Sequence, residues 1–256
     1  MSSQLRFYKD VVTANAHGQS AKWYPPVLAG AQTLSRSLFD ASVYRGCADI
    51  FGKLSPDEYA DFIAGFIATG VETHGKHWRY ADICTALFSL SRSLCVDSYL
   101  EIGVRRGRSM SMVAGTRPQA NIVGFDLWLD NYAGLENPGP DFVRQEMERL
   151  GYKGALEFIS GNSHETVPAY FGQHPEATFD LITVDGDHSP EGAMTDLLTV
   201  LPRLRIGGAI VFDDIVHPQH TYLKDVWRRS VSSKTNFSSY EFTDLGYGVA
   251  FAIRRS

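Results

Sequence analysis

The run SYLEIGVRRGRSMSMVAGTRPQANIVGFD, residues 98–126, decides the fold. It opens with a short apolar stretch of strand length and turns at Gly103 and Gly107. A helix-like segment follows to Thr116, and ANIVGFD closes the run as a second apolar strand. A strand, a helix and a strand within about 30 residues form the unit that sets two parallel strands side by side. The rhythm then repeats. ALEFISGN, TFDLITVDGD and GGAIVFDD read as three more strands, with helix-like stretches at 107–116, 140–150, 163–173 and 189–201. Near-continuous apolar strands fit a sheet covered on both faces. The expected architecture is α/β, a doubly wound parallel sheet.

The two ends of the chain differ from this middle. FSSYEFTD and YGVAFAIRR are joined by LGYG with no helix between them, so they read as an antiparallel hairpin. The first ninety or so residues read as helices. In LSPDEYADFIAGFIATG, Ser55 is the expected N-cap, Pro56 the first helical residue, Glu58 the capping-box partner and Gly70 the stop. The division expected is a helical N-terminal extension or lid over 1–95 and a binding domain over 96–256.

Composition narrows the partners. The 256 residues are 44% hydrophobic, which supports one sizeable core. A net charge of -5 leaves no basic footprint for a nucleic acid. No stretch is long and apolar enough to span a bilayer, and the start MSSQLRFYKDVV lacks the apolar core of a secretory signal. Cys47, Cys84 and Cys95 form no CxxC pair and are odd in number, which suits a reducing cytoplasm.

In open α/β sheets ligands bind beyond the carboxyl ends of the strands, and the polar residues collect there. Glu101 stands at the end of the first strand. Gly103 and Gly107 let the backbone approach a ligand, and Ser109 opens the helix behind them. The pattern is not the G-x-G-x-x-G dinucleotide fingerprint. Asp126 lies about 20 residues on, at the end of the second strand, where an acid holds a ribose diol. Trp128 follows it, as an adenosine wall or as core. Asn162 and Ser163 follow the third strand and join the expected cofactor set, as does Asp185 after the fourth. S-adenosylmethionine and a nicotinamide dinucleotide both fit this part. Asp185, Asp187, Asp213 and Asp214 crowd two neighbouring strand ends with His188 beside them. Carboxylates so placed repel one another unless a proton or a cation neutralises them. An oxygen-rich set suits a hard ion: Mg²⁺, with Ca²⁺ or Mn²⁺ as alternatives. Taken singly, DGDH also reads as a solvated loop and FDD as a helix cap.

LEIGVRRGRS, VGFD and FDLITVDGDHSPEGAMTDLLTVLPRLRIGGAIVFDD together resemble the class I, metal-dependent O-methyltransferases that act on the sugars of macrolide and aminocoumarin antibiotics. They are also similar to the related cephalosporin-biosynthesis group. The resemblance covers roughly residues 98–215 and is most specific in the DGDHS…GG…FDD block. It implies a Rossmann-like sheet closed by a hairpin, S-adenosylmethionine as methyl donor and a cytoplasmic enzyme of antibiotic biosynthesis. It implies Asp185, Asp213 and Asp214 as Mg²⁺ ligands, and either Asp187 or His188 as general base. An imidazole titrates near neutral pH, which favours His188; its other reading is a hydrogen bond that steadies a ligating carboxylate. Two positions depart from the family pattern: Arg108 replaces a frequent glycine, and Asn162 replaces a frequent aspartate.

The expected partner is a small-molecule hydroxyl acceptor, a sugar, with no nucleic acid and no membrane; self-association stays open. A catechol-type metal-dependent O-methyltransferase and a non-catalytic S-adenosylmethionine-binding protein are the alternatives. His74 and His77 in HGKHW read as part of a lid or as an ordinary loop. His217 and His220 in HPQH come within range of a substrate without forming a zinc pattern. The segment with Lys224, Trp227, Arg228 and Arg229 reads as a solvated, partly basic helix face, and the hairpin aromatics as core or subunit contact.

Overall fold

The computed structural model describes residues 26–131 and 136–256. Seven strands form one sheet: β1 (Ser98–Ile102), β2 (Asn121–Asp126), β3 (Leu156–Ser160), β4 (Phe179–Val184), β5 (Leu204–Asp213), β6 (Phe237–Phe242) and β7 (Val249–Arg254). Their order is β3-β2-β1-β4-β5-β7-β6. β1 to β5 pair in parallel, whereas β7 pairs antiparallel to both β5 and β6. The hairpin therefore inserts its second strand between β5 and its first, and the doubly wound α/β expectation holds.

The alternation of side chains along each strand sorts the core into two layers. Tyr99, Leu181, Val211 and Phe251 face one side. Their neighbours Leu100, Ile182, Ile210 and Ala250 face the other. The first layer is covered by α1 (Ala31–Leu34), α2 (Ala41–Phe51), α3 (Glu58–His74), α4 (Ile83–Ser93), α5 (Arg108–Thr116) and α6 (Pro140–Arg149). The second is covered by α7 (Ser163–Gln173), α8 (Pro190–Val200) and α9 (Leu223–Trp227). The helices before β1 thus share one continuous apolar core with the sheet.

Three local expectations need correction. The N-cap of α3 is Asp57, not Ser55, and its carboxylate accepts from the backbone N–H of Tyr59 and Ala60. Ser55 is instead drawn to α6, where its N–H and Oγ each donate to Glu146 at 2.7 Å. Gly70 does not end α3; the Trp78 ring packs on it so closely that a Cβ would lie 2.1 Å from Cε2, and the helix runs on to His74 with Gly75 as its cap. Trp227 is not on a solvated face. It is fully buried and stacks on Phe212 at 6.0 Å.

Candidate active site

The first turn is built by backbone proximity. Gly103 has φ +91, and a Cβ there would lie 2.0 Å from the Asp185 carbonyl oxygen. Only glycine lets the end of β1 close onto the end of β4. Hydrogen bonds lock this arrangement: Gly103 N–H donates to the Phe125 carbonyl and Asp185 N–H to the Ile102 carbonyl, both at 2.9 Å. Gly107, at φ +74, caps α5 against Val143.

Glu101 lies beneath this turn, fully buried. Its carboxyl accepts from Tyr99 Oη at 2.9 Å and from Ser109 Oγ. Burial drives its pKa to about 8 against those two bonds, with the Asp185 and Asp126 charges adding to the rise. A carboxyl so shifted carries its proton at neutral pH. Asp126 pins two loops. Arg105 N–H donates to one oxygen at 2.7 Å and Trp128 N–H to the other at 2.5 Å. Asn137 Nδ2 also donates to the oxygen that Trp128 holds, at 3.4 Å, and the oxygen facing Arg105 keeps a lone pair for a further donor. Trp128 meets Phe158 edge-on at 5.8 Å, between the β2 loop and β3. Asn162 is the N-cap of α7 and accepts from His164 N–H at 3.0 Å. Ser163 follows it and reaches the Asp196 carboxyl.

The acids collect after β4 and β5. Ligand atoms of Asp185, His188 and Asp214 lie within 4.8 Å of one another. Asp214 reaches this position with φ +61, a conformation that costs a non-glycine residue free energy. Asp213 is set deeper; burial, then the Asp185 and Asp214 charges, pushes its carboxyl far above the ordinary range. Burial and Asp185 raise Asp214 to about 7. Burial disfavours a charged His188, but Asp185 Oδ1 at 3.2 Å and the Asp214 and Asp187 charges outweigh it and raise the imidazole. Acids that retain protons where they crowd together form a site that a cation can occupy by displacing those protons. Asp185 and Asp214, with Asp213 set deeper, offer carboxylate oxygens, the donors that Mg²⁺ or Mn²⁺ takes, so the residues fit such an ion.

The structure separates the two candidate bases. His188 turns into the acidic group. Asp187 turns away, half-exposed, and accepts from Ser189 N–H at 2.8 Å at the start of α8. It lies down on the helix because Gly192 has no side chain; a Cβ there would sit 2.0 Å from Asp187 Oδ2. Beneath the loop, buried Asp196 accepts from the Asp187 backbone N–H and from Ser163, and His164 Nε2 is 3.7 Å away.

Other residues arrive from positions that carry no motif. Asp57 holds Arg108 Nε at 2.5 Å, and the Arg108 guanidinium lies 4.7 Å over the Tyr59 ring. Asp82 caps α4 by a reciprocal pair with Thr85 and accepts from Tyr80 Oη at 3.1 Å. Its charge is felt at Asp213, and Asp213 in turn raises the phenols of Tyr59 and Tyr80 beyond the effect of their burial. The pre-sheet helices therefore flank the acidic end. His217 and His220 form a row with His188 and Tyr247. Spacing alone had suggested only that these histidines come within range. His74 and His77 lie exposed at the end of α3 and just beyond it, while Trp78 packs among Tyr44, Phe66 and Tyr80.

Residues 100–215 match the model of a family described as a methyltransferase domain. No curated protein matches the sequence. Among solved structures, the chain is similar to the O-methyltransferase TomG from Streptomyces achromogenes, involved in tomaymycin synthesis and solved with S-adenosylmethionine. The identity is 18% and the TM-score 0.53, over 100% of each chain. It is similar to CalS11, a TDP-rhamnose 3'-O-methyltransferase of calicheamicin biosynthesis, at 18% identity and TM-score 0.51, over 87% of this chain and 92% of that one. An O-methyltransferase from Bacillus cereus solved with S-adenosylhomocysteine gives 14% identity and TM-score 0.52, over 98% of this chain and all of the other. The fold is the Rossmann-like methyltransferase fold.

Proposed function

We propose that this chain is an S-adenosylmethionine-dependent O-methyltransferase that requires a hard divalent cation, Mg²⁺ by preference, and methylates a hydroxyl of a sugar or glycosylated natural product. The observation that carries this reading is the contact of Gly103 with the Asp185 backbone, which brings the glycine turn and the Asp185, His188 and Asp214 group to one sheet edge. The methyltransferase-domain match and the S-adenosylmethionine-bound relative support the donor. The sugar methyltransferase relative supports the acceptor.

In this reading Glu101, Gly103, Gly107, Ser109, Asp126, Trp128, Asn162, Ser163 and Asp185 form the cofactor cradle. Asp185, Asp213 and Asp214 hold the cation, with the His188 nitrogen beside them. The bound cation supplies a lowered pKa for an acceptor hydroxyl. His188 takes the hydroxyl proton; Asp185 orients its ring and stabilises the imidazolium that forms. Asp187 shapes the loop from the α8 side. The described part of the N-terminal extension, residues 26–95, walls the acceptor side through Tyr59 of α3 and Tyr80 ahead of α4 and keeps water from the reacting atoms. Three cysteines, none in a disulfide among the described residues, fit a cytoplasmic setting.

Thermal denaturation with S-adenosylhomocysteine, with and without Mg²⁺, tests the proposal. Ligand binding to the native state raises the melting temperature by mass action. S-adenosylhomocysteine should raise it, Mg²⁺ should add to the rise, and a chelator should remove that addition. A shift with NAD and none with S-adenosylhomocysteine would reject the reading.

A further inference from the structure

The loop after Asp214 carries a row of rings that the acidic group does not use. Centroids of His188 and His220 are 5.1 Å apart. His220 and His217 stack at 4.7 Å with 27° between their planes, and Tyr247 follows His217 at 4.3 Å. The row is anchored at both ends. Val216 N–H donates to the Tyr247 carbonyl at 2.8 Å, and His217 N–H to the Asp214 carbonyl at 3.1 Å. It therefore begins at the acidic group and leads away from it along the C-terminal hairpin, where Tyr247 is 50% exposed.

His217 and His220 each have a ring on both sides, one contact stacked and the outer two tilted at 49° and 59°, so a molecule arriving at these two histidines meets their edges. The edges are polar. His217 Nδ1 accepts from Gln219 N–H at 3.1 Å, which places that ring's proton on Nε2. His220 Nδ1 is paired with Tyr222 Oη at 3.0 Å. In both histidines the protein engages Nδ1 and leaves Nε2 as the nitrogen available to a ligand. An imidazole edge nitrogen exchanges hydrogen bonds with hydroxyls; a sugar carries hydroxyls all around its ring and can meet both histidines, whereas a planar aromatic diol carries them on one edge only.

We propose that the His217, His220 and Tyr247 row is the acceptor-recognition wall of this site, and that it selects a polyhydroxylated, sugar-like acceptor by edge hydrogen bonds over a planar aromatic diol. The proposal rests on the methyltransferase reading and adds to it the residues that choose the acceptor.

The probes are methyl α-L-rhamnopyranoside, as a sugar diol, and pyrocatechol, as a planar diol of similar size. Binding of each is measured by calorimetry on the full chain with S-adenosylhomocysteine and Mg²⁺ present. The rhamnoside should bind more tightly than the catechol. Replacing both histidines, His217→Phe with His220→Phe, keeps stacked rings but removes the edge nitrogens. It should weaken the rhamnoside by about tenfold, as expected for two neutral hydrogen bonds. The S-adenosylhomocysteine-induced rise in melting temperature should be unchanged, which also establishes that the variant is folded. His217→Gln, which retains an edge donor, should bind the rhamnoside within about threefold of wild type on the same scale. Preference for catechol, an undiminished rhamnoside affinity in the double variant, or no rhamnoside binding by a protein that does bind S-adenosylhomocysteine would overturn the proposal. No S-adenosylhomocysteine binding by the wild type would instead reject the methyltransferase reading, and this inference with it.

Discussion

Asp57 and Arg108, 51 residues apart, meet at 2.5 Å between the N-terminus of α3 and the first turn of α5. The same carboxylate caps α3. Arg108 is thereby held toward the N-terminal helices, with its guanidinium over Tyr59. One side chain thus ties the pre-sheet helices to the glycine turn.

Removing that carboxylate should cost both roles. Asp57→Ala should destabilise the fold by about 2 kcal/mol, the sum of a lost cap and a largely buried ion pair left one-sided. Burial opposes the charge on Asp57, but Arg108 and the helix N–H groups outweigh it and lower its pKa. Its contribution is then complete above the ordinary carboxylate pKa and is lost as pH falls through the lowered value. Denaturant melts of wild type and variant at neutral and acid pH should show the difference shrinking in acid. A constant difference would count against the ion pair.

Gly103→Ala tests the backbone contact beneath the site. The new Cβ meets the Asp185 carbonyl in a left-handed backbone conformation. A loss of about 3 kcal/mol is expected from clash and strain together. The displaced Asp185 should also weaken Mg²⁺ binding, which calorimetry reads directly. A variant as stable as wild type would mean that the β1 and β4 ends are less closely apposed.

Glu101 should leave a signature in the pH dependence of stability. Its folded pKa of about 8 stands above the unfolded value of the ordinary carboxylate range. Between the two values the folded state holds a proton that the unfolded state has lost, so stability falls as pH rises, by up to about 1.4 kcal/mol per pH unit. Glu101→Gln keeps the shape and removes this slope. The variant should gain on wild type from pH 5 to 8 and stay level above that. Parallel stability curves would show that Glu101 is already ionised.

His188→Gln and Asp187→Asn separate base from scaffold. If His188 takes the acceptor proton, His188→Gln should lower kcat by two to four orders of magnitude, the range for a general base. S-adenosylhomocysteine affinity should be retained. Asp187→Asn should cost far less, because its carboxylate is engaged with Ser189 at the start of α8. Single-turnover methyl transfer across pH is the measurement. Wild-type rates in His188→Gln with a dead Asp187→Asn would reverse the roles.

Much of the fold was legible because periodicity is local. Strand-length apolar runs, the helices between them and the hairpin ending each follow from a few consecutive residues, and the five parallel strands appear where those runs stand. The misplacements share one cause. Ser55 and Asp57 are both good caps, and Glu146 of a distant helix removed Ser55 from the choice. Gly70 is a plausible stop until Trp78 packs on it, and Trp227 sits in a charged segment yet stacks on Phe212. None of these partners lies within the window that a local pattern samples.

The same division runs through the site. The sequence by itself determined that acids stand at the carboxyl ends of adjacent strands, because a parallel sheet sends every such end to one edge. Only the tertiary structure decided which way each side chain turns. DGDH presents two neighbours as candidates, with only the chemistry of an imidazole to favour His188; backbone geometry sends His188 toward Asp185 and Asp214, and Gly192 lets Asp187 lie on α8. Likewise Asp57, Tyr59, Tyr80 and Asp82 reach the site from well before β1, and His217, His220 and Tyr247 from beyond β5. Residue type and spacing specify where chain elements end, while the orientation of a side chain is set by contacts made only once distant segments have packed together.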